Sequence, residues 1–135
     1  MIDTDDALRH LLEKTRTIAV VGLSPNPARA SHEVAQYLMT QGYIIIPVNP
    51  ACDQVLGLKC HASLRDISGR VDLIDVFRRS EEVDAIVDDA IAIGAGAVWL
   101  QLGVIAPQAL QRAEAAGLQT VMDRCTKIDH RRLLG

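Results

Sequence analysis

Polar and apolar positions fall into two kinds of block that take turns along the chain. The first kind is a short, nearly unbroken apolar run: "TIAVVGL" (17–23), "YIIIPVNP" (43–50), "VDLIDVF" (71–77), "AVWLQLG" (97–103) and "QTVMDRC" (119–125). Runs of this length and composition predict strands buried on both faces. The second kind is amphipathic. Residues 4–14 place Leu8, Leu11 and Leu12 on one helical face, with Thr4 as the predicted N-cap and Asp5 and Asp6 in the first turn, where the helix dipole favours acids. Further helices are predicted over 31–41, capped by Ser31 and stopped at Gly42; over 80–94, capped by Ser80; and over 107–117, with Pro107 near the first position. The segment 51–70 predicts only an irregular connection with one helical turn at "ASLRDI", and the tail from Thr126 has too little periodicity to predict an element.

Strands alternating with helices predict an α/β fold: a single doubly wound domain over 1–135, with a five-stranded parallel sheet flanked by helices. Right-handed crossovers make the strand order 3-2-1-4-5 the simplest expectation. In such a sheet the ligand sits beyond the carboxyl ends of the strands, here at the switch between strands 1 and 4. That collects five stretches around one crevice: Gly22–Ser31, Pro47–Pro50, Phe77–Arg79, Gln101–Gly103 and Asp123–Thr126.

Composition narrows the ligand classes. The chain has 135 residues, and a domain of that size can bury roughly 68–70% of its unfolded surface without a disulfide or metal. Aromatic residues are limited to Phe77, Trp99, Tyr37 and Tyr43, and the net charge is −3; both argue against a nucleic-acid surface. Cys52, Cys60 and Cys125 make an odd count with no C-x-x-C pair, which disfavours a disulfide framework or zinc site. The acidic, amphipathic N-terminus is not a signal peptide, and no apolar run approaches the ~20 residues of a membrane span. A cytoplasmic protein without membrane contact is the expectation.

The candidate chemistry centres on "VVGLSPNPARASHEV", which starts at Val20. A dinucleotide fingerprint has three glycines; this loop has only Gly22, and it is longer than a compact dinucleotide turn. Arg29 offers a forked cation and Ser31 a hydroxyl beside a helix start, a pairing suited to a phosphate; Ser31 as cap and Arg29 in solvent is the plainer alternative. Strand 2 ends in "PVNP" with no ribose-binding acid, which disfavours NAD; Arg78 and Arg79 could serve a 2′-phosphate of NADP or the phosphates of another adenine nucleotide. The candidate bases are His10, His32, His61 and His130. Cys125, near Arg124 and Lys127 with His130 and Asp129 downstream, is the candidate nucleophile, with packing as a small apolar residue as the alternative. No H-E-x-x-H, G-x-S-x-G or Walker motif occurs. One sheet and its helices consume the chain, so a binding module, or an enzyme completed by a partner or second copy, is expected.

Six stretches together carry a family resemblance: "VVGLSPNPARASHEVAQYL", "GYIIIPVNP", "LGLKCHASLRDI", "VDLIDVFRRSEEV", "GAGAVWLQLGV" and "AGLQTVMDRCTKIDH". They resemble the small CoA-binding proteins of bacteria, and through them the CoA-binding domain of the succinyl-CoA synthetase alpha subunit, over about residues 10–133. The resemblance implies a Rossmann-like fold that binds coenzyme A. It implies the diphosphate near Gly22, Ser24, Arg29 and Ser31, and the adenosine beside Pro47, Val48, Asn49 and Pro50. It implies that Val76, Phe77, Arg78 and Arg79 close the other side of the nucleotide. Gln101 and Gly103 would line the pantetheine path, with Met122 and Cys125 beyond. The synthetase's phosphorylated histidine lies outside that domain, and His130 does not match its motif. The expected function is therefore binding of CoA or an acyl-CoA without catalysis. The alternatives are thiol exchange between CoA and Cys125, and an NADP-binding regulatory module. A crevice without a lid also makes a homo-oligomer an expectation.

Overall fold

Each apolar run forms a strand that stops before the carboxyl end of the run, so the last residues of the run become the turn. This is seen in a computed structural model describing residues 1–135. The strands are β1 (Thr17–Val21), β2 (Ile44–Val48) and, after a small antiparallel hairpin of β3 (Gln54–Val55) and β4 (Leu58–Lys59), β5 (Leu73–Val76), β6 (Ala97–Leu100) and β7 (Gln119–Val121). The helices are α1 (Asp5–Lys14), α2 (Ala30–Thr40), α3 (Val83–Ala92), α4 (Pro107–Ala115) and α5 (Thr126–Leu133). Both faces of the sheet are covered, as continuous apolar strands require. Leu8, Leu12, Leu38 and Trp99 belong to the core under α1 and α2, whereas Val83, Val87 and Leu110 fill the core under α3 and α4. No helix is long and apolar enough to cross a membrane.

The five-stranded parallel sheet is as expected, but its order is not. The strands run β2-β1-β5-β6-β7, which in terms of the five apolar runs is 2-1-3-4-5 rather than 3-2-1-4-5. The physical reason is Pro47. It lies inside β2, opposite Val20, and has no N–H for a ladder on its other side. β2 therefore belongs at an edge, where Ile44 is exposed. The third run inserts on the far side of β1 instead, with Ile18 opposite Leu73. The connection to it contains no helix to carry the chain outward past β2. It holds the β3–β4 hairpin and a single 3-10 turn, Leu64–Asp66, within the predicted "ASLRDI". The switch point accordingly lies between β1 and β5.

Two predicted caps take other roles. The N-cap of α2 is Arg29, without a side-chain cap bond, while the buried Ser31 hydroxyl accepts from Ser24 N at 3.0 Å. Ser80 opens a 3-10 turn before α3, and its Oγ accepts from Ile105 N at 2.9 Å. The unassigned tail forms α5 because its buried side chains, Thr126, Asp129 and His130, are polar and leave no apolar period to read. Arg124 grips Asp129 at 2.6 and 2.9 Å, Arg132 reaches Asp5 of α1 at 2.9 Å, and Tyr37 Oη lies 2.8 Å from His130 Nδ1.

α1 docks through Leu8, Leu11 and Leu12, all buried, with Thr4 Oγ1 accepting from Ala7 N at 3.3 Å. Leu12→Ala is expected to lower the unfolding free energy by about 2–5 kcal/mol, read from urea denaturation.

Candidate functional site

Where β1 and β5 part, their turns touch. Gly22 leaves β1 at φ +85°, and a Cβ there would sit 2.4 Å from the Phe77 carbonyl oxygen and 3.2 Å from Arg78 Nε. Only glycine accepts both the backbone angle and the close approach. Gly22 N donates to Val48 O at 2.9 Å, and Phe77 N to Val21 O at 2.9 Å, so the ends of β2, β1 and β5 are tied in one row.

Around this row lie three openings; the first and third share Arg78, and the second and third share Phe77. The largest, about 600 Å³, is lined by Val21, Val48, Pro50, Ala62, Ser63, Leu64, Arg78, by Glu81 and Glu82 of the turn before α3, and by Ile86 and Asp89 of α3. A second, about 340 Å³, is bounded by Gly22, Ser24, Arg29, Ala30, Ser31 and Phe77. A third, about 420 Å³, extends past Phe77, Arg78 and Arg79 to Gln101, Leu102 and Val104. The second opening faces the start of α2, where the N–H groups of Ala30 and Ser31 have no hydrogen-bond acceptor and no capping side chain. Arg29 and Arg78 form no ion pair. Two free guanidinium groups and an uncapped helix start make this end of the crevice attractive to an anion. The acids Glu81, Glu82 and Asp89 give the largest cavity the opposite character on its α3 side.

The predicted residues divide into those that reach the openings and those that brace them. Gly22, Ser24, Arg29, Ser31, Val48, Pro50, Phe77, Arg78, Arg79 and Gln101 line an opening. Arg79 is partly spent on Glu81 and Glu82, with Nε–O distances of 3.6 and 3.7 Å. Asn49 braces the site: Nδ2 donates to Leu23 O at 3.0 Å, and Oδ1 accepts from Ala51 N at 2.9 Å. Pro47 accepts from His61 N at 2.9 Å, and the Val76 side chain is buried in the core under α3. Gly103, at φ +82°, donates its N–H to Asp123 Oδ1 at 2.7 Å. Met122 and Cys125 pack against opposite cores.

The candidate Cys125–His130 pair is not formed. His130 Nδ1 meets the Tyr37 hydroxyl, and burial lowers the His130 pKa. Asp129 pairs with Arg124 and Arg132, and Lys127 with Glu33, so the neighbouring charges are already committed. His32 pins the loop, its Nδ1 lying 2.9 Å from Ser24 O. By contrast, the structure brings Cys52 and Cys60 together, with the sulfurs 3.3 Å apart, where the spacing of the cysteines showed no pair.

Sequence reading missed Ala62–Leu64, Ile86 and Asp89 as lining residues. The Ser63–Asp66 capping box was a legible sign that this connection folds locally. It also missed Asp75, a lone acid in an apolar strand. Asp75 lies fully buried at the carboxyl end of β5 and accepts hydrogen bonds from Gln101 Nε2 and from Thr126 Oγ1, the latter at 2.9 Å. Burial pushes its pKa from 3.8 up to about 7, against the two hydrogen bonds, which lower it. Gln101, whose Nε2 also donates to Thr126 Oγ1 at 3.0 Å, is thereby fixed at the floor of the third opening.

A doubly wound α/β sheet with an anion-attracting crevice at its switch point defines a nucleotide-binding class. Comparison with known proteins makes this specific. The family described as CoA binding domain matches residues 16–131, and the chain belongs to that family. It is 39% identical over 123 residues to the uncharacterized protein YneT of Bacillus subtilis (strain 168), covering 91% of each chain. A hypothetical protein from Pyrococcus horikoshii OT3 of known structure matches with a TM-score of 0.95 and 39% identity, over 98% of this chain and 94% of its own. The ADP-forming acetate–CoA ligase II of Archaeoglobus fulgidus is 30% identical over 91 residues, which are 65% of this chain and 14% of the ligase.

Because Asp75 holds its proton more tightly when folded than the ordinary value near 3.8, its contribution to stability is full below about pH 4. It is lost as pH rises to about 7. His130, kept neutral by burial, acts in the opposite sense. The difference between wild type and Asp75→Asn isolates the Asp75 contribution. Unfolding free energies measured from pH 4 to 8 should fall with pH relative to the variant, and a constant difference would contradict the raised pKa.

Proposed function

We propose that this chain binds coenzyme A or an acyl-CoA across the carboxyl ends of β2, β1 and β5, and catalyses no reaction of its own. The observation that carries this reading is the pair of unpaired arginines, Arg29 and Arg78, on either side of the Gly22–Phe77 contact. A diphosphate fits between them, beside the open N–H groups of α2 and the Ser24–Ser31 corner. The adenosine then enters the large cavity between Val48 and Pro50 on one side and Leu64 and Ile86 on the other. Its exocyclic amine is a donor suited to the carboxylates of Glu81 and Glu82 ahead of α3, and the ribose 3′-phosphate of CoA has to turn away from them toward the arginines. The thiol-bearing arm leaves past Phe77 toward Gln101 and Leu102.

Family membership supports the ligand, and the unmatched Cys125 supports binding without chemistry, since no base is hydrogen-bonded to that thiol. An NADP site would draw on Arg79, which is turned to Glu81 and Glu82.

Isothermal calorimetry with CoA, acetyl-CoA, NAD and NADPH tests the reading, and selective binding of the CoA compounds is expected. Arg29→Ala and Arg78→Ala should each weaken CoA binding by about 1.5–3 kcal/mol, the usual worth of a hydrogen bond to a charged group. That is roughly 10- to 150-fold in Kd. Wild-type affinity in both variants would remove the diphosphate from this position.

A further inference from the structure

The β3–β4 hairpin turns at Leu56 and Gly57, which adopt φ +54° and +74°. The turn carries Cys52 on one limb and Cys60 on the other, with their sulfurs 3.3 Å apart. Cys60 N donates to Asp53 O at 2.8 Å, so the limbs are already closed at this level. Cys52 is half-buried and Cys60 is 9% exposed. No group of three His, Cys, Asp or Glu side chains makes a metal site here.

We propose that Cys52 and Cys60 are a redox dithiol, converted to an intrachain disulfide by exchange with a low-molecular-weight disulfide. The sulfurs have to close by roughly 1.3 Å to reach the bonding distance of about 2.05 Å. Cys52 is the sulfur that an external disulfide, RSSR, can reach. Its thiolate attacks one sulfur, forms Cys52–S–SR and releases RS⁻, which takes up the proton that Cys52 gave to water. Cys60 then loses its proton, attacks the Cys52 sulfur and expels the second RS⁻. The balance is two protein thiols plus RSSR giving one protein disulfide plus two RSH, so RSSR is reduced and the protein oxidised. Exchange begins at Cys52 because burial and its hydrogen bond with Cys52 push the Cys60 thiol up to about 12.

The bond has a structural consequence. Pro50, two residues before Cys52, and Ala62, two residues after Cys60, both line the large cavity. Between them His61 pairs with the end of β2, donating to Pro47 O and accepting from Asn49 N, both at 2.9 Å. A Cys52–Cys60 disulfide therefore staples this wall of the cavity. The inference holds whichever ligand fills it.

The test exposes the reduced full chain to glutathione disulfide, followed by intact-mass measurement and tryptic mapping. Trypsin cuts after Lys59 and separates the two cysteines, so the bridge appears as a linked peptide pair. The expected result is loss of two hydrogens with Cys52 joined to Cys60, and one glutathione retained on Cys52 in Cys60→Ser. In the wild-type chain alone, free Cys52 and Cys60 after denaturation and alkylation would overturn the proposal. So would a glutathione adduct that persists on Cys52, or linkage of either residue to Cys125.

Discussion

The contact of Gly22 with the Phe77 carbonyl is the constraint on which the rest of this structure depends. It lets β5 lie directly beside β1 up to the last residue of each strand. Beyond that point the chain leaves toward α2 on one face and α3 on the other, and the divergence opens the crevice. A side chain at position 22 would push the two turns apart and carry Arg78 away from the loop. Topology and site are thus consequences of one backbone approach, and the single glycine of the loop is spent on strand-to-strand packing.

Beneath the crevice the apolar packing is interrupted by a buried polar network. Asp75, Gln101 and Thr126 join β5, β6 and the first residue of α5 in one buried network. The Trp99 indole N–H reaches Arg124 O at 2.8 Å, and Arg124 in turn holds Asp129. An acid sealed in a sheet costs desolvation, and here two donors offset part of that cost. The network ties the turns after β6 and β7 to the end of β5, beside the switch point.

The crevice itself is divided by charge. Its α2 side presents Arg29 and the free N–H groups of Ala30 and Ser31; its α3 side presents Glu81, Glu82 and Asp89, with Arg78 between the two. The acids are themselves partly neutralised, Glu81 and Glu82 by Arg79 and Asp89 by Arg65, whereas Arg29 and Arg78 have no acidic partner.

The apolar runs and amphipathic segments of the sequence were enough to determine five buried strands, four helices and the parallel α/β class, because burial on both sheet faces writes itself directly into local composition. The loops that line the openings were legible for the same reason: they start where the runs end. The edge position of β2 was also written there, in Pro47, although the simplest crossover rule pointed elsewhere. Helix α5 was not legible, since its buried Thr126 and His130 are held by Asp75, Gln101 and Tyr37, and its Lys127 and Arg132 pair with Glu33 and Asp5, partners far away in sequence. The same holds for Asn49 and Gln101 as braces, for the separation of His130 from Cys125, and for the meeting of Cys52 with Cys60. Local pattern reports whether a residue is buried; only the tertiary structure decides against what, because polar contacts are directional and are set by neighbours the pattern does not contain.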